Sequence, residues 1–164
     1  MTTARYAQNT AVDSATSRAE IERTLARYGA TSFMYGWEES RAAIGFVVNG
    51  RQVRFVVPMP DRSERRFTHT PAKGQPRTTE AAAKEYDQAV RQSWRALALV
   101  VKAKLEAVAA GIVSFDEEFF AHLVLPDGQS VFSHANPAVQ RAFETGQVQP
   151  LLQIGQSPAH GKES

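Results

Sequence analysis

The sequence contains no cysteine, which excludes disulfide bonds, thiol nucleophiles and metal sites built on thiolates. It also lacks any apolar run approaching the roughly 20 residues that span a membrane, and its N-terminus has no signal-peptide core. We therefore expect a protein that is not inserted in a membrane and that acts in a reducing compartment.

Sequence motifs for catalysis and metal binding are scarce as well. The four histidines, His69, His122, His134 and His160, are widely separated, and none has the i, i+4 partner of a helical metal site. The chain has no G-x-S-x-G elbow, no P-loop and no dinucleotide fingerprint. We expect no catalytic residue, no metal and no cofactor. A serine, a histidine and a carboxylate brought together by the fold stay open as an alternative.

Charge is distributed unevenly along the chain, although the formal net charge is only +2. Residues 51–104 carry twelve Lys and Arg against five Asp and Glu, whereas residues 105–164 carry two against seven. A cationic middle beside an acidic end suits a polyanionic partner, or self-association of basic surface on acidic surface. A solvated surface of uneven charge, without a partner, is the open alternative.

Hydrophobic periodicity predicts one α+β domain over residues 17–146, followed by a tail over 147–164. Residues 1–16 are polar and aperiodic, so we predict a disordered arm there. Ser17 and Glu20 have the spacing of a capping box and predict that the first helix begins at Ser17.

Three strands are predicted next, over Thr31–Trp37, Arg41–Val48 and Arg51–Val57, because apolar residues alternate in each. Asn49-Gly50 joins the last two strands and is typical of a two-residue hairpin turn. The turn sets a register in which Phe46 faces Val53. The result is a three-stranded antiparallel meander with one apolar face that another layer must cover.

The covering layer is predicted to be a long amphipathic helix over Thr79–Ala110, whose apolar residues recur every three or four positions. Trp94 belongs to this apolar stripe and Trp37 to the apolar face of the first strand, so we expect both in the core. Four cations form a second stripe on one flank of the helix: Lys84, Arg91, Arg95 and Lys102.

The acidic C-terminal third is predicted to hold two short helices. Ser114 and Glu117 form a capping box that opens a helix over Phe115–Leu123, and its Asp116-Glu117-Glu118 triplet is favoured by the helix dipole. Asn136 as N-cap, with Pro137 as first residue and Gly146 beyond the end, predicts the other helix.

Residues 58–78 are predicted to form a long basic loop, since four prolines and a glycine interrupt regular structure. Cations that could pair with phosphates surround an aromatic residue that could stack on a base. The nucleic-acid-binding residues predicted for the loop and the helix flank are Arg62, Arg65, Arg66, Phe67, Arg77, Lys84, Arg91, Arg95 and Lys102. No motif for reading base sequence is present, so we expect contacts to the nucleic-acid backbone.

The stretches Ser17–Trp37, Gly50–Pro60, Arg91–Gly111 and Phe115–Gly128 resemble a group of small proteins in phage, prophage and virome sequences. This resemblance implies a setting, the cytoplasm of a bacterial host, and no mechanism. The order helix, three-stranded meander, long helix also resembles the core of Rad52-type single-strand annealing proteins. That second resemblance implies a ring of subunits with single-stranded DNA in a basic groove between meander and helix.

Two hypotheses of function follow from these observations. The first is a non-enzymatic, phage-type protein that binds nucleic acid, preferably single-stranded DNA, in recombination or replication, and that can form a homo-oligomer. The second is a protein-interaction module, such as an inhibitor of a host defence factor or an accessory of phage replication. An enzyme of unrecognised type is the third.

Overall fold

The computed structural model describes the backbone of residues 3–38 and 40–152, and the side chains of 15–38 and 40–152. Five α-helices and three strands follow one another in this part of the chain. They are α1 (Thr3–Arg27), β1 (Ala30–Glu38), β2 (Arg41–Val48), β3 (Arg51–Pro58), α2 (Arg65–Thr68), α3 (Thr79–Ala109), α4 (Phe115–Phe119) and α5 (Val131–Thr145). A 3₁₀ turn, Phe120–His122, follows α4 directly.

The three strands form one antiparallel sheet in the order β1-β2-β3, as the sequence predicts. The register of β2 and β3 is also confirmed, with Phe46 opposite Val53 and Ile44 opposite Phe55. Asn49 and Gly50 both have positive φ, 50° and 73°. A two-residue hairpin turn needs this backbone conformation at both positions, so local turn chemistry sets the pairing of the strands.

The core lies between the apolar face of the sheet and the helix layer of α1 and α3. Helix α3 buries one residue per turn over most of its length: Tyr86, Val90, Trp94, Leu97, Val101 and Leu105. Helix α1 adds Ile21 and Leu25, each 1% exposed. Since each such side chain contributes roughly 1.5–3 kcal/mol on burial, this stripe is the main reason that α3 packs on the sheet. The α+β arrangement, with a meander on a long helix, is thereby confirmed.

Helix α1 begins at Thr3, which lies before the predicted start at Ser17 and inside the segment predicted to be a disordered arm. The segment before Ser17 has no glycine or proline and is rich in alanine, the residue with the highest helix propensity. Ser17 and Glu20 lie inside the helix, where the backbone N–H groups already have helical partners. Their capping-box spacing therefore has no role there.

The expectation that both tryptophans lie in the core is only half right. Trp94 is 1% exposed, but Trp37 is 56% exposed. Trp37 does lie on the inward face, opposite Ala42 of β2. However, β1 is the edge strand, and exposure rises along its inward face from half-buried Phe33 to Tyr35 and Trp37. The helix layer does not extend over the end of β1, and an alternating pattern cannot reveal this.

The C-terminal helices depart from the predicted bounds at one end each. Ser114 and Glu117 do form the capping box, but α4 ends at Phe119 and continues as the 3₁₀ turn. Helix α5 begins at Val131 because Ser130 caps it, its side chain accepting from the N–H of Ser133 at 3.1 Å. The predicted cap Asn136 and Pro137 are therefore inside α5, which ends at Gly146 as expected.

The described part of the predicted tail, residues 147–152, has no regular structure. Leu151 is 43% exposed, and Ile154 and everything after Leu152 lie outside the described residues. In the ranges that the structure describes, no helix combines the length and the apolar character needed to cross a bilayer.

Candidate nucleic-acid interface

The basic loop of residues 58–78 is a folded lobe rather than an open loop. The one-turn helix α2 lies inside it, and His69 and Pro76 form an antiparallel bridge. The N–H of Arg77 donates to the carbonyl of Thr68 at 2.7 Å, and the N–H of Thr70 donates to that of Gln75 at 2.8 Å. These backbone hydrogen bonds fix the path of the lobe. The Cα positions of its cationic residues are therefore defined, as a binding surface requires.

Phe67 anchors this lobe to α3 and is not an exposed aromatic. It is 4% exposed, and its ring meets that of Tyr86 edge-on with centroids 5.6 Å apart. The prediction that Phe67 stacks on a base is therefore wrong, because no face of the ring is open to a ligand. A large apolar side chain in a polar loop is better interpreted as the anchor of that loop to the core.

Two of the four predicted lobe cations hold the lobe together. Arg66 pairs with Glu64 at 2.7 Å. Arg77, the most buried of the four, pairs with Glu85 of α3 at 3.2 Å and donates to the carbonyl of His69. Their charges are balanced by carboxylates, so they add little positive potential at the surface.

The other two predicted lobe cations are exposed, and no carboxylate of the described chain pairs with them. The guanidinium of Arg62 lies over the ring of Tyr86, 3.8 Å from its centroid. That of Arg65 lies so near Gly74 that a Cβ there would be 3.2 Å from it. Lys73, also exposed, is a third cation of this kind and was not among the predicted site residues. The lobe cations are defined as Arg62, Arg65 and Lys73.

The cations of the α3 flank are defined as the helix stripe: Lys84, Arg91, Arg95 and Lys102. Lys84, Arg95 and Lys102 are exposed, and Arg91 is half-buried. No ion pair among the described side chains includes Lys84, Arg95 or Lys102. At about 1.5 Å per residue, the stripe extends over about 27 Å of the helix.

The lobe and the helix stripe lie on opposite sides of the outward ridge of α3. The lobe borders the helix at Ala89, Ser93 and Ala96. At about 100° per residue, the mean direction of these three residues lies roughly 150° from that of the stripe. Between them runs an exposed ridge that includes Gln88, Gln92 and Leu99, the last 60% exposed. The two groups of cations thus border one outward face rather than merging into a single patch.

The acidic triplet of α4 does not neutralise the helix stripe. Asp116 pairs with Arg51 at 3.4 Å, and Glu118 pairs with Lys104 at 2.8 Å. Glu117 caps α4, and its hydrogen bonds with the Ser114 side chain and backbone lower the pKa of its carboxyl group. Each carboxylate of the triplet therefore has a partner outside the helix stripe. Helix α4 does not neutralise the positive charges of the stripe.

His122 and His134 are the two histidines that could serve as catalytic bases, and they lie in different surroundings. His122 stacks on Phe55, with centroids 4.1 Å apart, and burial, with a smaller contribution from Lys104, lowers its pKa. His134 is 2.6 Å from one carboxylate, that of Asp127. Within the described side chains, no three His, Cys, Asp or Glu residues form a group that could hold a metal ion.

The surface at β1 is the feature that sequence reasoning missed. Trp37 and Met34 are 56% and 53% exposed, on opposite faces of the same edge strand. The only signal for it in the sequence is that β1 is the first strand of a meander and therefore lies at an edge.

Comparison of the chain with protein-family models, with curated proteins and with solved structures gave no match.

Proposed function

We propose that this protein binds single-stranded DNA, without catalysing a reaction, along the outward face of α3 between the helix stripe and the lobe cations. The observation that carries the proposal is the state of Lys84, Arg95 and Lys102. All three are exposed, and none is paired with a carboxylate of the described chain. In the phage setting implied by the resemblance, such binding serves recombination or replication.

Electrostatics determine what such a surface binds and how. Cations in line along a helix attract a polyanion and release its condensed counterions, so affinity falls with the logarithm of salt concentration. The stripe of about 27 Å is long enough for several phosphates, since duplex DNA has a phosphate every 3.4 Å or so along each strand. These contacts are to the backbone and carry no sequence information, so binding is insensitive to base sequence.

The ridge between the cations favours a single strand over a duplex. Leu99 is 60% exposed on this ridge, and Val100, 45% exposed, lies on the flank of α3 that the lobe borders. The bases of an unpaired strand can lie against apolar side chains while its phosphates contact the flanking cations. A duplex keeps its base faces stacked inside and offers no such contact.

Fluorescence polarisation with a labelled single-stranded oligonucleotide at low salt tests the proposal. We expect binding by the wild-type chain and much weaker binding by the triple variant Lys84→Ala, Arg95→Ala, Lys102→Ala. The matched control replaces Arg23, Arg27 and Arg141, three exposed arginines that belong to neither the helix stripe nor the lobe, and removes the same net charge. Absence of binding by the wild-type chain, or equal losses in the two triple variants, contradicts the proposal.

The lobe is tested separately because it lies on the other side of the ridge. The variant Arg62→Ala, Arg65→Ala, Lys73→Ala removes the lobe cations. It keeps Phe67 and Arg77, which contact α3, and Arg66, which pairs with Glu64 within the lobe. We expect weaker binding with a melting temperature lowered by only a few degrees, because the contact of Arg62 with the Tyr86 ring is lost. If affinity stays at the wild-type value, the strand contacts the helix stripe alone.

A protein-interaction module is the second candidate, and helix α5 favours it. Phe132 and Phe143 of α5 are 57% and 88% exposed, and only Val131 of this helix is fully buried. Exposed aromatic residues of this kind are typical of surfaces that bind another protein. A partner retained from nuclease-treated host lysate by the wild-type chain, and lost by Phe132→Ser with Phe143→Ser, would favour this function. Such a partner would be a host defence factor or a component of phage replication.

A further inference from the structure

Strand β1 has a free edge with a regular hydrogen-bonding pattern. Within the described part of the chain, no strand and no isolated bridge pairs with the side of β1 that faces away from β2. The Asn49-Gly50 turn makes Val48 and Arg51 a hydrogen-bonded pair, so the even residues of β2 bond to β3 and its odd residues to β1. Their partners in β1 are even, since Met34 faces Gly45. The backbone groups of Phe33, Tyr35 and Trp37 therefore point towards the free edge.

We propose that this edge pairs with the β1 strand of a second copy of the chain, antiparallel and with Tyr35 opposite the partner's Tyr35. In this register the hydrogen-bonded residues on both sides are the odd ones, as the geometry of the free edge requires. The two three-stranded sheets then form one continuous six-stranded sheet across a two-fold axis. This mode of association is independent of the proposed DNA binding.

Side-chain size supports this register over its neighbours. On the inward face, Phe33 meets the partner's Trp37, and the pair is repeated by symmetry. On the outward face, Met34 meets the partner's Gly36, so a long side chain lies opposite an absent one. A shift that centres the axis on Met34 would place two methionines opposite each other and separate the Phe33 and Trp37 rings.

The charge of the strand also suits self-pairing. Glu38 is the only ionisable acid or base between Ala30 and Glu38 other than tyrosine, and Arg41 pairs with it at 2.7 Å. In the proposed register Glu38 lies opposite the partner's Ser32, so no like charges of the strands themselves meet. The nearest other charge is that of Arg18 in α1, whose guanidinium lies over the Tyr35 ring, 4.2 Å from its centroid. Edge strands are commonly protected by lysine, proline or a bulge. Here the only irregularity is between Ala30 and Ser32, and residues 33–37 have none of these features.

The exposed surface of β1 that a second copy could bury is small, and this limits the affinity of the dimer. Trp37, Met34 and Tyr35 are 56%, 53% and 37% exposed. An aromatic side chain buries about 150–250 Å² in full, so the exposed parts of the two rings offer about 200 Å² per copy. Even with Met34 and the strand backbone this is below the standard interface of about 800 Å² per partner. We therefore expect a reversible dimer that forms at micromolar concentrations and above.

Sedimentation equilibrium of the full chain over a range of concentrations tests the dimer. The variant Trp37→Pro removes an N–H group that points to the free edge and leaves the hydrogen bonds to β2 in place. Its matched control, Trp37→Ala, removes the same ring and keeps that N–H group. We expect a dimer for the wild-type chain, a weaker dimer for Trp37→Ala and a monomer for Trp37→Pro. A wild-type chain that stays monomeric, or a dimer unaffected by Trp37→Pro, overturns the proposal.

A second measurement keeps the test decisive if Trp37→Pro does not fold. Because the chain has no cysteine, Tyr35→Cys introduces a single thiol next to the proposed two-fold axis. A short bis-maleimide should join two such chains, whereas Val56→Cys, at a more exposed position on β3, should give no cross-linked dimer. Cross-linking of both variants to the same extent, or of neither, contradicts the register.

Discussion

Replacing Phe119 by alanine tests how the acidic C-terminal third is attached to the sheet. Phe119 is fully buried, and its ring meets those of Phe46 and Phe55 edge-on at 5.9 and 6.3 Å. Phe115 stacks on it at 4.6 Å. These contacts make Phe119 the main apolar link between α4 and the strands.

The magnitude follows from this burial. Removing a fully buried phenylalanine costs about 3–5 kcal/mol, since the lost transfer free energy is increased by the cavity left behind. For a chain of this length, that corresponds to a decrease in melting temperature of about 6–20 °C. The adjacent Phe120 is 52% exposed and is the matched control. Phe120→Ala removes the same atoms but leaves no internal cavity, so we expect it to cost about 1 kcal/mol or less.

Urea denaturation followed by circular dichroism, at a fixed pH and protein concentration, measures both variants. We expect a large decrease in the transition midpoint for Phe119→Ala, an unchanged m-value and a small decrease for Phe120→Ala. If Phe119→Ala costs less than about 1 kcal/mol, or no more than Phe120→Ala, the packing of α4 on the sheet is refuted.

Three further predictions concern pH, salt and the hairpin. The pKa of His122 is lowered by burial, so the unfolded chain takes up the proton first as pH falls through about 6.5, and stability is lost from there downwards. His122→Gln should flatten the dependence of melting temperature on pH between 8 and 5.5, and an unchanged dependence would contradict this cause. For single-stranded DNA, the slope of log affinity against log salt should fall by about 2 when Lys84, Arg95 and Lys102 are removed, at about 0.7 per phosphate contact. It should not change in the Arg23, Arg27, Arg141 control. Gly50→Ala, at φ 73°, should lower the free energy of unfolding by about 1–2 kcal/mol, and a smaller loss in urea denaturation would argue against the positive φ.

Features that depend on near neighbours along the chain follow from the amino-acid sequence alone. The Asn49-Gly50 turn sets the register of β2 and β3, because few residues other than these adopt positive φ readily. The apolar spacing of α3 identifies its buried face, and the Ser114–Glu117 capping box fixes the start of α4. A helix that begins before Ser17 can also be predicted from the sequence, since the alanine-rich segment before this residue favours a helix.

Which of these side chains are covered, and which charges are paired, depends on how the folded segments pack together. Trp37 and Trp94 fit apolar patterns equally well, yet one is 56% exposed and the other 1%, because the helix layer ends before the edge of the sheet. Phe67 looked like an open aromatic until α2 placed it against Tyr86. Glu118 binds Lys104, fourteen residues away, rather than the helix stripe. Burial and ion pairing depend on contacts between segments distant in sequence. An apolar repeat identifies which face of a helix or strand is apolar, but it does not show which element packs on that face.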